Sequence, residues 1–150
     1  MRQTLSNRSR LPPAADIHTY EELLAEQGET NRPCELWDGE LAIAPAPSFH
    51  HQEIVLRFSQ QLYHWVLKNN LGKVVNGPID MILSPHRVMQ AGCGFHSQER
   101  LSIIARTING PVDLAAEVIS LGDRNRDRIE KRHLYEQYGI KEYWLIDPEA

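Results

Sequence analysis

The run "PVDLAAEVIS", residues 111–120, constrains the fold more than any other part of the chain. It is mostly apolar, with small and branched side chains, and carries Glu117 near its end. Such a run fits a central β-strand covered on both faces, where no polar-out alternation is expected. A helical pattern from about Asp123 to Tyr138 follows, and Gly139 ends it. "EYWLIDP" then reads as another strand, rich in aromatic and branched residues.

The preceding residues supply the remaining elements. Thr19 and Glu22 have the spacing of a capping box, so "YEELLAEQ" reads as a short helix. "CELWDGELAIAP" is a hairpin turning at Asp38-Gly39, a dipeptide that tolerates positive φ. Ser48 can cap a long amphipathic helix that puts Ile54, Phe58, Leu62, Trp65 and Val66 on one face, with Leu71-Gly72 closing it. "KVVNGPIDMILSP" and "RVMQ" read as strands separated by turn residues. Helix, hairpin, helix, strands, helix, strand is an α/β order with a mixed sheet flanked by helices. The expected organisation is a flexible leader over residues 1–16 and a single domain over 17–150, with one further C-terminal edge strand missing.

Composition narrows the function classes. A net charge of −4 excludes a nucleic-acid polycation, so any phosphate binding must come from a local patch. Two cysteines, Cys34 and Cys93, make no disulfide scaffold and suit a reducing compartment. No stretch is long and apolar enough to span a bilayer, and the basic start lacks a signal-peptide core, so the expectation is a cytoplasmic protein.

Glu117 is the most informative chemical group. A carboxylate at the end of a buried strand costs several kcal/mol unless a cation, a metal or hydrogen bonds compensate it. The next helix carries Arg124, Arg128, Lys131 and Tyr135 at three- and four-residue spacing, hence on one face. A strand-to-helix turn folds that face back over the sheet, so a lysine there can meet Glu117. A structural salt bridge and a functional pair both remain open on spacing alone. Glu35, alternating with Leu36, can reach the same pocket. His50-His51 opens the long helix without Cys or Glu at ligand spacing, which favours hydrogen bonding over metal binding. No phosphate-binding glycine loop, nucleophile elbow or zinc signature is present.

Taken in order, "YEELL", "ELWDGELAIAPAPSFHHQEI", "DLAAEVIS" and "DRNRDRIEKRHLYEQYGIKEYWLIDP" resemble the Uma-type restriction endonucleases of the PD-(D/E)XK nuclease superfamily. The resemblance covers nearly all the chain from about Tyr20. It implies a restriction-endonuclease-like core, a DNA substrate, and one or two Mg2+ or Mn2+ ions held at one edge of the sheet. Glu117 matches the family's metal-binding glutamate. The lysine usual two residues later is replaced by Ile119, and Lys131 matches the family's alternative placement on the following helix. Glu35, Tyr135 and His51 match further characteristic positions. In that chemistry carboxylates hold a hard cation, the ion polarises the phosphate and acidifies a water, and lysine orients the attacking water. Arg124 and Arg128 can contact backbone phosphates. Pairing into a homodimer, as many nucleases do to cut both strands, is left open.

One segment departs from the pattern. Family members read Gln-Pro-Asp followed by hydrophobic residues, whereas here Gln90 is followed by Ala91, Gly92, Cys93 and Gly94. Gly92 occupies the position of the metal-binding aspartate, and glycines weaken a strand interior. Asp80, in the preceding strand, is a candidate replacement ligand. A paired frameshift is our hypothesis for the segment. Gln-Pro-Asp-Val-Val-Phe-Ile-Ser written CAG CCG GAT GTG GTT TTC ATT TCC becomes residues 90–97 when one G is inserted after CAG and one T is dropped near the end. Sequencing the locus beside close relatives decides it: the absence of that insertion and deletion removes the hypothesis. Cys93 and His96 as a new metal pair is a poor reading, because two ligands in a strand do not close a site. Two functions are carried forward: a metal-dependent DNA endonuclease, inactive if the missing aspartate is not replaced, and a catalytically dead module binding nucleic acid or protein.

Overall fold

The expected α/β arrangement is present, with its strands divided between two four-stranded sheets. The computed structural model describes residues 18–27, 33–120 and 129–149. The leader, the expected start of the last helix at Asp123, and both Arg124 and Arg128 therefore lie outside the described residues. Helix α1 (Tyr20–Gln27) precedes strands β1 (Cys34–Trp37) and β2 (Glu40–Ile43). Helix α2 (Phe49–Lys68) leads to β3 (Gly72–Asn76), β4 (Met81–Ser84), β5 (Arg87–Met89) and β6 (Cys93–Ser97). A 3-10 turn over Gln98–Ile103, which no sequence pattern announces, precedes β7 (Leu114–Val118), α3 (Lys131–Gln137) and β8 (Glu142–Ile146). One sheet has the order β2-β1-β5-β4 and the other β3-β6-β7-β8. The second is mixed: β6 pairs antiparallel with β7, and β7 pairs parallel with β8.

Local chemistry accounts for the boundaries. The capping box closes reciprocally, Thr19 N–H donating to Glu22 Oε2 at 2.7 Å and Glu22 N–H to Thr19 Oγ1 at 3.2 Å. Asp38 and Gly39 both take positive φ, 48° and 86°, as the tight hairpin requires. Ser48 Oγ accepts from His51 N–H at 3.2 Å and starts α2.

Two expectations for α2 need correction. The left-handed residue after the helix is Asn70 (φ 52°), and Gly72 already belongs to β3. Gly72 serves a different need: any Cβ there would lie 1.9 Å from the His96 carbonyl oxygen of the neighbouring strand. Trp65, expected inward, is 61% exposed. Val55, Ser59 and Val66 are the buried positions of α2, with Phe58 and Leu62 packed beside them, and Trp65 falls about 100° off that stripe.

The mixed sheet separates two apolar layers. On one face Cys93, Leu114 and Ala116 pack against Phe58 and Leu62 of α2. On the other, Met81, Met89, Val112, Ala115, Leu134 and Tyr135 form the main core beneath α3. Each of the larger side chains contributes about 1.5–3 kcal/mol when fully buried. Strand β7 lies in the middle, with every residue but Glu117 buried. No helix among the described residues is long and apolar enough to cross a membrane.

Candidate active site

Four separate chain segments deliver their polar groups to the α3 face of the mixed sheet. Strand alternation decides which residue points there. On β7, Ala115 enters the main core, Ala116 the layer under α2, and Glu117 returns to the α3 side. Helix α3 begins at Lys131, and its first turn overlies the end of β7. Lys131 Nζ lies 2.9 Å from Glu117 Oε1 and 2.8 Å from Glu35 Oε1, bridging β7 to β1. One turn along α3, the Tyr135 hydroxyl donates to Glu117 Oε1 at 3.4 Å. Glu117, Glu35, Lys131 and Tyr135, all candidates on sequence spacing, are thus brought together.

Burial makes the cluster electrostatically demanding. The side chains of Lys131, Glu117 and Glu35 retain only 7%, 11% and 13% of their exposure, and Tyr135 has none. Burial alone would lower the Lys131 pKa, but the Glu117 and Glu35 carboxylates prevail and hold it well above the ordinary lysine value. Burial pushes the Tyr135 hydroxyl well up, against the opposing pull of Lys131. Lys131 is therefore an ammonium and Tyr135 a neutral donor at neutral pH. Two carboxylates facing one ammonium leave the cluster net negative, which repels a phosphodiester unless a cation is added.

Residue 92 sits beside this cluster. Gly92 N–H donates to Glu117 Oε2 at 3.3 Å. A Cβ at this position would lie 3.7 Å from Glu117 Oε2 and 3.2 Å from the Ala116 carbonyl oxygen. The space thus accepts a side chain after a shift of a few tenths of an ångström, and directs it past Glu117. In the chain as it stands that side chain is absent. Lys131 and Tyr135 both engage Glu117 Oε1, and Oε2 is the oxygen beside Gly92. Among the described residues, no three His, Cys, Asp or Glu side chains cluster to hold a metal ion. A hard divalent cation wants several converging oxygens. The described residues do not by themselves fit a magnesium site.

Asp80 does not fill that gap. Its two carboxylate oxygens accept from the Tyr20 hydroxyl at 3.0 Å and from Gln90 Nε2 at 2.8 Å. It acts one step back, because Gln90 N–H donates in turn to Glu35 Oε1 at 3.1 Å. The other Gln90 amide atom, Oε1, accepts from Cys34 N–H at 3.0 Å. Glu35 is held on its far side by Trp37 Nε1–H, which donates to Oε2 at 3.1 Å. Sequence reasoning misses both Gln90 and Trp37; Trp37 lies two residues from Glu35 on the same strand face, a spacing that could have flagged it. His51 Nε2 donates to the Val118 carbonyl at 2.9 Å, tying the start of α2 to the residue after Glu117. Its Nδ1 is buried without a hydrogen-bond partner. Cys93 and His96 are three residues apart on β6, and therefore face opposite sides of the sheet.

Comparison with known proteins agrees with this architecture. No curated protein matches the sequence. Among solved structures, the chain is similar to the crystal structure of a putative nuclease belonging to DUF820 from Anabaena variabilis ATCC 29413. The identity is 20% and the TM-score 0.74, over 87% of this chain and 74% of that one. At that identity the likeness speaks to the fold. The Uma2 model, described as "Putative restriction endonuclease", matches residues 17–150. Nearly the whole chain follows one family pattern on a nuclease-like fold, and the protein belongs to the Uma2 family of putative restriction endonucleases.

Proposed function

We propose that this chain carries the site of a metal-dependent DNA endonuclease in an incomplete form, silenced at residue 92. The observation that carries the reading is the Gly92 N–H to Glu117 Oε2 contact at 3.3 Å, which sets position 92 beside one Glu117 oxygen while Lys131 Nζ lies 2.9 Å from the other. A carboxylate on residue 92 would converge with Glu117 Oε2, and a bound divalent ion would then polarise the phosphate and acidify an attacking water. The chain's own residues supply the rest. Lys131 presents a permanent ammonium, Tyr135 a neutral hydroxyl donor, and Glu35 holds Lys131 in place. Arg124 and Arg128, in the sequence just before α3, supply phosphate contacts.

The test is plasmid cleavage with Mg2+ or Mn2+ by the unaltered chain, by Ala91→Pro/Gly92→Asp, and by that double variant carrying Glu117→Ala. The expected result is no cutting by the first, cutting by the second and none by the third. A folded double variant that binds no metal and cuts nothing contradicts the nuclease reading. Cleavage by the unaltered chain, lost on Lys131→Ala, means another group replaces the aspartate. The second reading, a dead binding module, has one observation in its favour: Lys131 already bridges both carboxylates as a closed ion-pair set. DNA binding that survives Lys131→Met, with no cutting by any variant, supports it.

A further inference from the structure

We propose that the outer face of α2 is a helix-pairing seam that docks antiparallel on α2 of a second copy of this chain. The inference is independent of the nuclease reading. Helix α2 carries more apolar surface than its own fold uses. Val55, Ser59 and Val66 are buried, and Phe58 and Leu62 beside them pack on Cys93, Leu114 and Ala116 of the mixed sheet. A second stripe runs through Phe49, Glu53, Leu56, Gln60, Tyr63 and Leu67. At about 100° per residue these six lie within about 80° of one another, and their line is centred about 110° from the buried one. Phe49 is 85% exposed and Leu67 63%, while Leu56 and Tyr63 are half exposed. Single exposed apolar side chains are ordinary, but four along one line of a helix mark an interaction site.

Spacing selects the partner. The six residues follow one another at intervals of four, three, four, three and four, the repeat of about 3.5 residues that seats one helix against another. Reversed, the stripe falls on itself. A two-fold axis level with Phe58 sets Phe49 opposite Leu67 of the second copy, Glu53 opposite Tyr63 and Leu56 opposite Gln60, each twice. Phe49 and Leu67 then close both ends of the seam. Parallel pairing would instead set Glu53 against Glu53, a like-charge layer that costs stability. Gln60 is a polar residue at a seam position, the kind that fixes register while weakening the pair. Covering these side chains in both copies removes on the order of 1,000 Å² from water, the lower limit for a specific interface, so the dimer is a reversible one.

The experiment is sedimentation of the 150-residue chain over a concentration series, with far-UV circular dichroism as a check on folding. The unaltered chain should dimerise reversibly. Leu56→Glu, at an exposed position, should leave the fold intact and weaken the dimer at least roughly tenfold. Gln60→Leu should tighten it about tenfold, because it replaces the polar group facing Leu56 in both copies. Trp65→Ala removes another exposed aromatic ring, about 160° around α2 from the seam, and should leave the dimer unchanged. Should Leu56→Glu fail to fold, the Gln60→Leu result decides alone. A monomer at every concentration overturns the proposal. So does a dimer that Gln60→Leu fails to tighten, that a folded Leu56→Glu leaves intact, or that Trp65→Ala breaks.

Discussion

Strands β6 and β7 lie side by side in the centre of one sheet, yet only one of them suits its place. Strand β7 reads Leu-Ala-Ala-Glu-Val, and its single polar side chain is answered by Lys131 and Tyr135. Strand β6 and the residue line leading into it place Gly92, Gly94 and His96 on the same face. Gly92 offers Glu117 Oε2 a backbone donor and no side chain. Gly94 leaves room where a Cβ would touch Val112 Cγ1 at 3.4 Å and Val75 Cγ1 at 3.8 Å, both ordinary contacts. His96 is 1% exposed, and neither ring nitrogen has a hydrogen-bond partner. A valine at 94 would meet Val112 and Val75, and an isoleucine at 96 would leave no ring nitrogen without a partner. These are the residues the frameshift hypothesis restores, and the environment of β6 supports that hypothesis on grounds separate from the codons.

The contrast can be broken first at the β7 side. Lys131→Met leaves Glu117 and Glu35 buried without their shared cation, and should cost about 3–5 kcal/mol in urea unfolding. A loss below about 1 kcal/mol would mean that the cluster is solvated and that β7 is no better matched than β6.

At the β6 side the sign reverses. His96→Ile should stabilise the protein by about 1–3 kcal/mol, since it removes a buried unsatisfied imidazole. The gain should depend on pH. Burial lowers the His96 pKa, with Asp113 opposing and Arg100 reinforcing the shift. The unfolded chain therefore binds the proton more readily, near pH ~6.5. Stability attributable to the neutral ring is complete above that value and falls as pH drops toward the lowered folded pKa. The unaltered protein should lose stability between neutral and mildly acidic pH, and His96→Ile should lose measurably less. Parallel slopes for the two proteins would show that His96 is compensated after all. The smallest effect is expected for Gly94→Val. Filling the strand and reducing unfolded-chain entropy should add about 1 kcal/mol, read as a rise in melting temperature. A destabilised variant would mean that Val112 and Val75 cannot yield.

Much of this site is legible in the sequence alone. Glu117 at the end of an apolar run meets Lys131 and Tyr135, four residues apart on the next helix and only 14 and 18 positions along the chain, so local periodicity is enough to nominate them. Glu35 is visible as an acid inside an apolar hairpin. Asp80 is conspicuous too, but its direction depends on Tyr20 and Gln90, residues 60 and 10 positions away, and no spacing rule encodes such a contact. The same holds for Gln90 as the donor that orients Glu35, and for His51 reaching Val118 across 67 positions. Amphipathic spacing places Trp65 on the face of Phe58 and Leu62, yet those two pack on the core while Trp65 stays 61% exposed. The division into two sheets rests on β1 pairing with β5, a long-range match that alternation within each strand does not specify.

The most direct test of the central claim is titration calorimetry with Mn2+ on four folded proteins: the unaltered chain, Ala91→Pro/Gly92→Asp, that double variant with Glu117→Gln, and that double variant with Asp80→Asn. The account predicts binding by the double variant only where Glu117 is retained, little loss on Asp80→Asn, and no binding by the unaltered chain. Mn2+ binding by the unaltered chain equal to that of the double variant would contradict it, because position 92 would then be irrelevant to the site.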